Sequence, residues 1–165
     1  MNGPWVYGCD GKWLGRVGVL FIHRNVTTKE NLWWSFMGSE SYESIHRDLD
    51  ELSQRLAMNF PLGAVSDWKG SIVVAVTSHF GNIPHQRCLA HVDREARRLL
   101  PLNSPYAATQ ALRRIASMLM LVEKPTDPHV WQAALNRWEN TYGDMLKEKT
   151  HAPAGLTRSW WYTHG

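Results

Sequence analysis

The stretch from Leu62 to Gly70 constrains the fold of this chain more than any other. A short apolar run, Leu62 to Val65, ends abruptly in Ser66-Asp67 and is followed by residues that begin an apolar helix. This pattern predicts a buried strand that carries Asp67 to its carboxyl end. In open α/β sheets, ligands bind at the carboxyl ends of the strands. The stretch therefore predicts both an α/β fold and the position of a site.

A second aspartate occupies a similar position near the start of the chain. Asp10 ends the strand predicted for residues 5–10 and is followed by Gly11-Lys12, much as Asp67 is followed by Trp68-Lys69-Gly70. Two carboxylates at the ends of neighbouring strands suit Mg²⁺, which takes oxygen ligands and keeps several waters. Alternatively, Asp67 caps the helix that follows it and Asp10 stands in a turn. The strand order described next favours a single metal site formed by both aspartates.

The order of the predicted elements defines the fold class. After the first strand come strands over 15–23 and 32–37, a helix from Ser41 to before Pro61, the strand to Asp67, a helix over 71–79, a short strand from His85 and a basic helix over 93–100. The first helix has one apolar stripe, formed by Ile45, Leu49, Leu52 and Leu56. Three strands, helix, strand, helix, strand is the order of the ribonuclease-H-like fold. We therefore expect an α/β protein with a mixed five-stranded sheet and flanking helices.

The character of the chain changes beyond Leu102. Ser104-Pro105 and Thr126-Asp127-Pro128 each resemble an N-cap followed by a first-turn proline. The apolar residues after each of them recur at helical spacing and predict a helical hairpin. We therefore expect an incomplete catalytic core over 1–102, an all-helical insertion over 103–150 and a tail over 151–165.

The bulk composition excludes several classes of protein. The longest apolar runs, such as Val17 to Ile22, are too short to cross a bilayer, and no signal-peptide pattern begins the chain. Cys9 and Cys88 form no disulfide framework. A cytoplasmic protein without a membrane partner is therefore expected. The net charge of +3 permits nucleic acid as a partner without requiring it.

Three residues of metal-ligand type, His85, Cys88 and His91, lie at steps of three. Cys88 and His91 have the spacing of half a zinc site, but the fourth ligand would have to be Cys9 or a distant histidine such as His79. A buried thiol at a strand end, followed by a histidine that begins the next helix and faces the site, is the favoured interpretation.

Five arginines predict a basic stripe that could run along a phosphate backbone. They are Arg94, Arg97, Arg98, Arg113 and Arg114. A solvated helix surface is the alternative, and the intervening Glu95 weakens the DNA interpretation.

Three motifs in combination resemble the catalytic core of Mutator-like bacterial insertion-sequence transposases over residues 5–150. The motifs are Cys9-Asp10-Gly11, Val65-Ser66-Asp67-Trp68-Lys69-Gly70 and Gln86-Arg87-Cys88-Leu89-Ala90-His91. The resemblance implies a ribonuclease-H-like domain in which two aspartates and one glutamate bind two Mg²⁺ ions. Such a domain cuts DNA at transposon ends and joins the freed 3′ hydroxyl to a target.

The resemblance also implies a role for particular residues. The first two catalytic and metal-binding residues of the DDE motif would be Asp10 and Asp67. The supporting Cys/His element would consist of Cys88 and His91. We further expect Lys69 and Arg87, which lie in the motifs, to bind DNA. The expected partners are transposon ends, target DNA and, in the full-length protein, further copies of the chain.

In such transposases the glutamate lies on a helix after the helical insertion. The chain stops at Gly165, about where the insertion should end, so we expect the glutamate and the N-terminal DNA-binding region to be absent from a truncated core. Glu139 and Glu148 are the nearest candidates, but both lie in the predicted insertion. One alternative is an active ribonuclease-H-like nuclease, which requires a third carboxylate near Asp10 and Asp67. Another is a catalytically inactive remnant that only binds DNA or a transposase subunit.

Overall fold

A computed structural model describes residues 3–56, 59–153 and 160–163, and it begins with an antiparallel meander. The strands are β1 (Val6–Trp13), β2 (Val19–Asn25) and β3 (Glu30–Met37). β2 pairs antiparallel with both β1 and β3. β-Branched and aromatic residues fill these strands, as expected for a pleated surface with one buried side. Val19 and Phe21 are fully buried, whereas Leu20 and Ile22 between them are only half-buried.

The position predicted for Asp10 at a strand end is wrong. β1 continues through Asp10 and Gly11, which pair with Ile22 and Phe21, and the chain turns only at residues 14–18. Gly15 and Gly18 supply the positive φ angles of that turn, 61° and 152°. Glycine often marks a turn, but Gly11 lies within the strand, where the absence of a side chain leaves room for Glu40.

Two helices and two further strands complete the first sheet. They are α1 (Tyr42–Leu56), β4 (Gly63–Ser66), α2 (Gly70–Phe80) and β5 (His85–Arg87). Ser41 caps α1, because its Oγ accepts a hydrogen bond from the Ser44 amide at 3.2 Å. Ile45, Leu49 and Leu52 of the predicted stripe are buried, and the side chain of Leu56 lies outside the described part of the chain.

The five strands form one mixed sheet in the order β3-β2-β1-β4-β5. β4 is parallel to β1 and β5 is parallel to β4. Parallel pairs need a crossover connection, and α1 and α2 provide the two crossovers. The predicted mixed α/β class, with a five-stranded sheet and flanking helices, is confirmed.

A buried polar network lies inside the core of this sheet. The Tyr7 hydroxyl hydrogen-bonds His23 Nδ1 at 2.8 Å, and His23 Nε2 lies 3.4 Å from Asp48 Oδ2 on α1. The Ser35 hydroxyl also donates to Asp48 Oδ2. Burial raises the pKa of Tyr7 well above its usual value, so that the phenol stays protonated. The network joins all three antiparallel strands to α1.

The described chain forms two compact units, residues 1–88 and 89–165. The second contains α3 (Leu89–Leu99), α4 (Ala107–Met118), α5 (Asp127–Tyr142) and two short 3-10 helices, Leu119–Leu121 and Gly143–Lys147. Ala108, Ile115 and Trp138 form its buried core, and Trp138 Nε1 donates to the Ala108 carbonyl at 2.8 Å. The division between the units thus falls before α3, whereas the predicted domain boundary followed Leu102.

The second unit is not purely helical, contrary to the expectation for the chain beyond Leu102. β6 (Lys149–His151) pairs antiparallel with β7 (Trp160–Tyr162). The two strands are separated in the chain, and the periodicity of neighbouring residues does not reveal that they pair. Residues 154–159, 164 and 165 of the predicted tail lie outside the described residues. Within the described ranges, every helix falls short of the length and apolar content that a bilayer span requires.

The buried network predicts a specific cost for removing the Tyr7 hydroxyl. Tyr7→Phe leaves His23 without that partner and should lower the free energy of unfolding by about 1–3 kcal/mol. Urea denaturation followed by tryptophan fluorescence measures the change. Tyr42→Phe, at an exposed position on α1, is the control and should change the midpoint little. Equal midpoints for both variants would contradict a stabilising role for the network.

Candidate functional site

The pairing of β1 with β4 places the segments that carry the two predicted aspartates side by side. The register aligns Val6 with Gly63 and Gly8 with Val65. Asp10 and Asp67 each follow the last aligned residue by two positions, so the side-chain alternation of strands predicts that they face the same side of the sheet. Asp10 is exposed and Asp67 is half-buried. Asp67 stands one residue after the end of β4, as predicted, whereas Asp10 projects from the middle of β1.

The charges of both aspartates affect the pKa of the buried Cys9 thiol. Burial raises the pKa of Cys9 to about 12, and a hydrogen bond with Tyr7 opposes this shift. The negative charges of Asp67, Asp10 and Glu40 raise the pKa further, in that order. All three negative charges therefore lie close enough to Cys9 to raise the pKa of its thiol.

The loop after β4 holds Asp67 in a defined position. Asp67 Oδ1 accepts a hydrogen bond from the Lys69 amide at 2.9 Å, and Ser66 Oγ accepts one from the Trp68 amide at 3.2 Å. Trp68 has a φ of 75°, in the left-handed region that non-glycine residues seldom occupy. Ser66 Oγ also hydrogen-bonds His85 Nε2 at 2.9 Å. These bonds stabilise a strained loop that positions the carboxylate.

Glu40 is the acidic residue of this region that the sequence patterns did not indicate. It lies between β3 and α1, and only 4% of its side chain is exposed. Its Oε2 is 2.5 Å from Lys69 Nζ and 3.3 Å from Trp13 Nε1. A Cβ at Gly11 would lie 1.6 Å from Glu40 Oε1, so only glycine fits beneath this carboxylate. The one available signal was a glycine inside a strand, which often marks the close approach of another group.

The acidic pair and Glu40 do not converge as three ligands of one ion. In the part of the chain that the structure describes, one group of three ligand-type side chains has its ligand atoms within 4.8 Å of one another. That group is His46, Asp50 and His79, on α1 and α2. On β1 and just after β4 the candidate donors are therefore two carboxylates, Asp10 and Asp67, while Glu40 is paired to Lys69.

The two residues predicted to bind DNA lie near Asp67, one in the chain and the other in the sheet. Lys69 forms the ion pair with Glu40, and its Nζ lies 5.7 Å from the centroid of the Trp13 ring. Arg87 is exposed and pairs in register with Ser66, the last residue of β4. Both cations thus belong to the loops and strand ends around Asp67. Contact of either residue with DNA stays a prediction.

Cys88 and His91, the predicted Cys/His element, fall in different compact units. Cys88 follows β5, is half-buried, and donates its amide hydrogen to the Ser66 carbonyl at 2.6 Å. His91 lies in the first turn of α3, and it too is half-buried. The supporting role of the two residues stays a prediction.

The predicted basic stripe is wrong for Arg113. This residue is buried, and its Nη1 donates to the Leu100 carbonyl at 3.0 Å and to the Ala96 carbonyl at 3.4 Å. Arg113 therefore supplies hydrogen-bond donors to backbone carbonyls at the C-terminal end of α3, where cationic side chains often bind. Arg97 and Arg98 are exposed but pair with acidic neighbours on the same helix. The spacing of the arginines did not reveal that one of them points into the core.

Comparison with known proteins does not assign the chain to a family. None of the protein-family models matches it, and no match was found among the curated proteins.

The environment of Cys9 predicts a difference in reactivity between the two cysteines. The thiolate is the reactive form, so at about pH 8 iodoacetamide should modify half-buried Cys88 and spare protonated, buried Cys9. Mass spectrometry of peptides from the native and the denatured chain measures the two sites. Cys88→Ser should leave the native chain unlabelled, and rapid labelling of Cys9 in that variant would contradict the burial described here.

Arg113 and Arg114 form a matched pair of adjacent cations. Arg113→Met removes the hydrogen bonds to α3 and should lower the free energy of unfolding of the second unit by about 1–3 kcal/mol. Arg114→Met, at an exposed position, should change it by less than about 0.5 kcal/mol. Denaturation followed by far-UV circular dichroism compares the two. Similar stabilities would show that Arg113 is not a structural residue.

Proposed function

We propose that this chain is the catalytic core of a DDE-type transposase, with a ribonuclease-H-like sheet in its first unit. Asp10 and Asp67 are its metal-binding residues, and DNA end cleavage with strand transfer is its reaction. The observation that supports the proposal is the parallel register of β1 and β4, which aligns Gly8 with Val65, two residues before Asp10 and Asp67 respectively. The strand order β3-β2-β1-β4-β5, with only β2 antiparallel to β1, is compatible with that fold.

The donor set fits Mg²⁺. This ion prefers carboxylate oxygens and retains several waters, so it needs one or two carboxylates and an open side for substrate phosphates. The exposed Asp10 and half-buried Asp67 meet this requirement. When bound, Mg²⁺ stabilises developing charge on the attacking and leaving oxygens of a phosphodiester.

The neighbouring residues have separate tasks in this proposal. Glu40 and the Asp67 loop hold the segment around Lys69 in place through the ion pair and the backbone hydrogen bonds. DNA is the proposed partner, and Arg87, an exposed cation on the strand beside β4, is proposed to contact its phosphate backbone. The positive charge of Arg87 partly offsets the repulsion between DNA and the carboxylates.

Two carboxylates alone hold Mg²⁺ weakly and leave a second ion poorly coordinated. We therefore expect slow cleavage by this chain, since each metal contact that stabilises transition-state charge contributes to the rate.

A nuclease of the same fold is the second candidate function. It is favoured by Glu40, a third acidic side chain from within the chain, whose Oε1 would lie 1.6 Å from a Cβ at Gly11, the residue after Asp10. Glu40 is paired with Lys69, so it would join the aspartates only after that ion pair opens. Lys69→Met should therefore increase cleavage if Glu40 is a metal ligand, and Glu40→Gln should abolish the increase.

Metal binding tests the aspartate pair directly. Mn²⁺, which can replace Mg²⁺ and is visible by electron paramagnetic resonance, should bind the chain, and Asp10→Asn or Asp67→Asn should weaken its affinity by about tenfold or more. The titration is done in a His46→Gln background, so that the histidine cluster on α1 and α2 does not contribute. Asp144→Asn is the matched control, because the Asp144 side chain is 97% exposed in the second unit. Equal affinities for all variants would overturn the proposed site.

Cleavage of DNA with Mg²⁺ or Mn²⁺ tests the reaction. Either aspartate variant should lower the rate by about 100-fold or more, and Asp144→Asn should not. DNA binding that is indifferent to Mg²⁺ and to Asp67→Ala, without any cleavage, would instead support the inactive DNA-binding remnant.

A further inference from the structure

Two histidines and an aspartate meet where α1 packs against α2 in the first unit. His46 and Asp50 are four residues apart on α1, so they occupy one side of the helix. His79 lies in the last turn of α2. His46 Nδ1 is 3.3 Å from Asp50 Oδ2, and His79 Nδ1 is 3.1 Å from Asp50 Oδ1. The two imidazole rings are 5.7 Å apart at their centroids.

The spacing of these atoms is close to that of a metal site. One ligand atom from each side chain lies within 4.8 Å of the other two. Metal–ligand bonds of about 2.0–2.2 Å in a tetrahedral Zn²⁺ site place ligand atoms roughly 3.3 Å apart. Small rotations of the side chains would therefore bring all three into coordination. Asp50 lies within ion-pair distance of both imidazole rings, and a bound ion would take the place of a proton on each ligating nitrogen.

The surroundings hold the most buried ligand in a binding orientation. Only 11% of the His79 side chain is exposed, and its Nε2 hydrogen-bonds Ser53 Oγ at 2.7 Å. A hydrogen bond on one ring nitrogen orients the other nitrogen toward a metal. The His79 ring also packs at right angles to Phe80, 4.7 Å between centroids. Its Nδ1 is thereby directed at the cluster.

The other two side chains leave the cluster open to solvent. The exposed fractions of the His46 and Asp50 side chains are 29% and 49%. An ion can therefore enter without unfolding of the helices, and a water can occupy the fourth position.

We propose that His46, Asp50 and His79 form a zinc site, with water as the fourth ligand, that clamps α1 to α2. Imidazole nitrogens favour Zn²⁺ over Mg²⁺, which prefers oxygen ligands. The two helices are the crossovers that flank the parallel strands, so the ion stabilises the unit that carries Asp10 and Asp67. The clamp does not depend on the proposed transposase activity, since its ligands and its ion differ from those of the aspartate pair.

The test is titration of the chelator-treated full chain with Co²⁺ and Zn²⁺. We use Cys88→Ser as the background, because a half-buried thiol also binds these ions. One equivalent of Co²⁺ should give the visible absorption of a tetrahedral site, and Zn²⁺ should displace it. Zn²⁺ should also raise the midpoint of thermal unfolding, because an ion that binds only the folded chain stabilises it.

Variants identify the ligands. His46→Gln, Asp50→Asn and His79→Gln should each weaken Zn²⁺ affinity by about tenfold or more. His129→Gln, at an exposed position on α5, is the matched control and should bind as the parent does. His79→Gln alters a mostly buried position, so His46→Gln and Asp50→Asn provide the decisive result if that variant unfolds.

Two outcomes would overturn the proposal. One is the absence of binding at one equivalent, which would leave the cluster as a hydrogen-bonded helix contact only. The other is binding that survives both His46→Gln and Asp50→Asn. Asp10→Asn with Asp67→Asn should leave Zn²⁺ affinity unchanged, so failure of the aspartate site and failure of the zinc site are distinguishable.

Discussion

The parallel pairing of β1 with β4 is the interaction on which the candidate site depends. Both strands turn alternate residues, such as Tyr7 and Ala64, into the core beneath the helices. Because strand residues alternate between the two sides of a sheet, a slip of one residue in either strand would turn its buried side chains outward. The same slip would turn one aspartate toward the helices and separate it from the other. The alternation that buries the core side chains thus also predicts that Asp10 and Asp67 face the same side.

The distribution of charge around β1 follows from this register. The negative charges of three carboxylates raise the pKa of the buried Cys9 thiol. One of the three, Glu40, forms an ion pair with Lys69. Burial of an unpaired carboxylate would be costly, so the most buried acid receives the cation. Asp10 and Asp67 are the more accessible of the three carboxylates. The ion pair with Lys69 keeps the Glu40 side chain in its place.

The first unit presents two sets of ligands with different chemistry. β1 and the loop after β4 carry carboxylate oxygens, which suit a hard ion that keeps its water, whereas α1 and α2 carry two imidazoles with one carboxylate. The helix cluster joins the two crossover segments, and those segments make the parallel pairing of β1, β4 and β5 possible. A contact that stabilises the packing of α1 on α2 therefore also supports the register at the aspartates. The polar network of Tyr7, His23 and Asp48 does the same for α1 and the meander.

The sequence by itself determined the order of the elements, the apolar stripe of α1 and the position of Asp67 after a strand. These features are local, because helix and strand periodicity is a property of neighbouring residues. Tertiary structure decided the rest. Asp10 lies inside β1 because pairing with β2 extends that strand, and Glu40 reaches Gly11 across the fold. Arg113 points into the core to cap another helix, and His79 meets residues of α1 that are distant in the chain. Contacts between residues far apart in sequence depend on packing and register, and no short pattern encodes them.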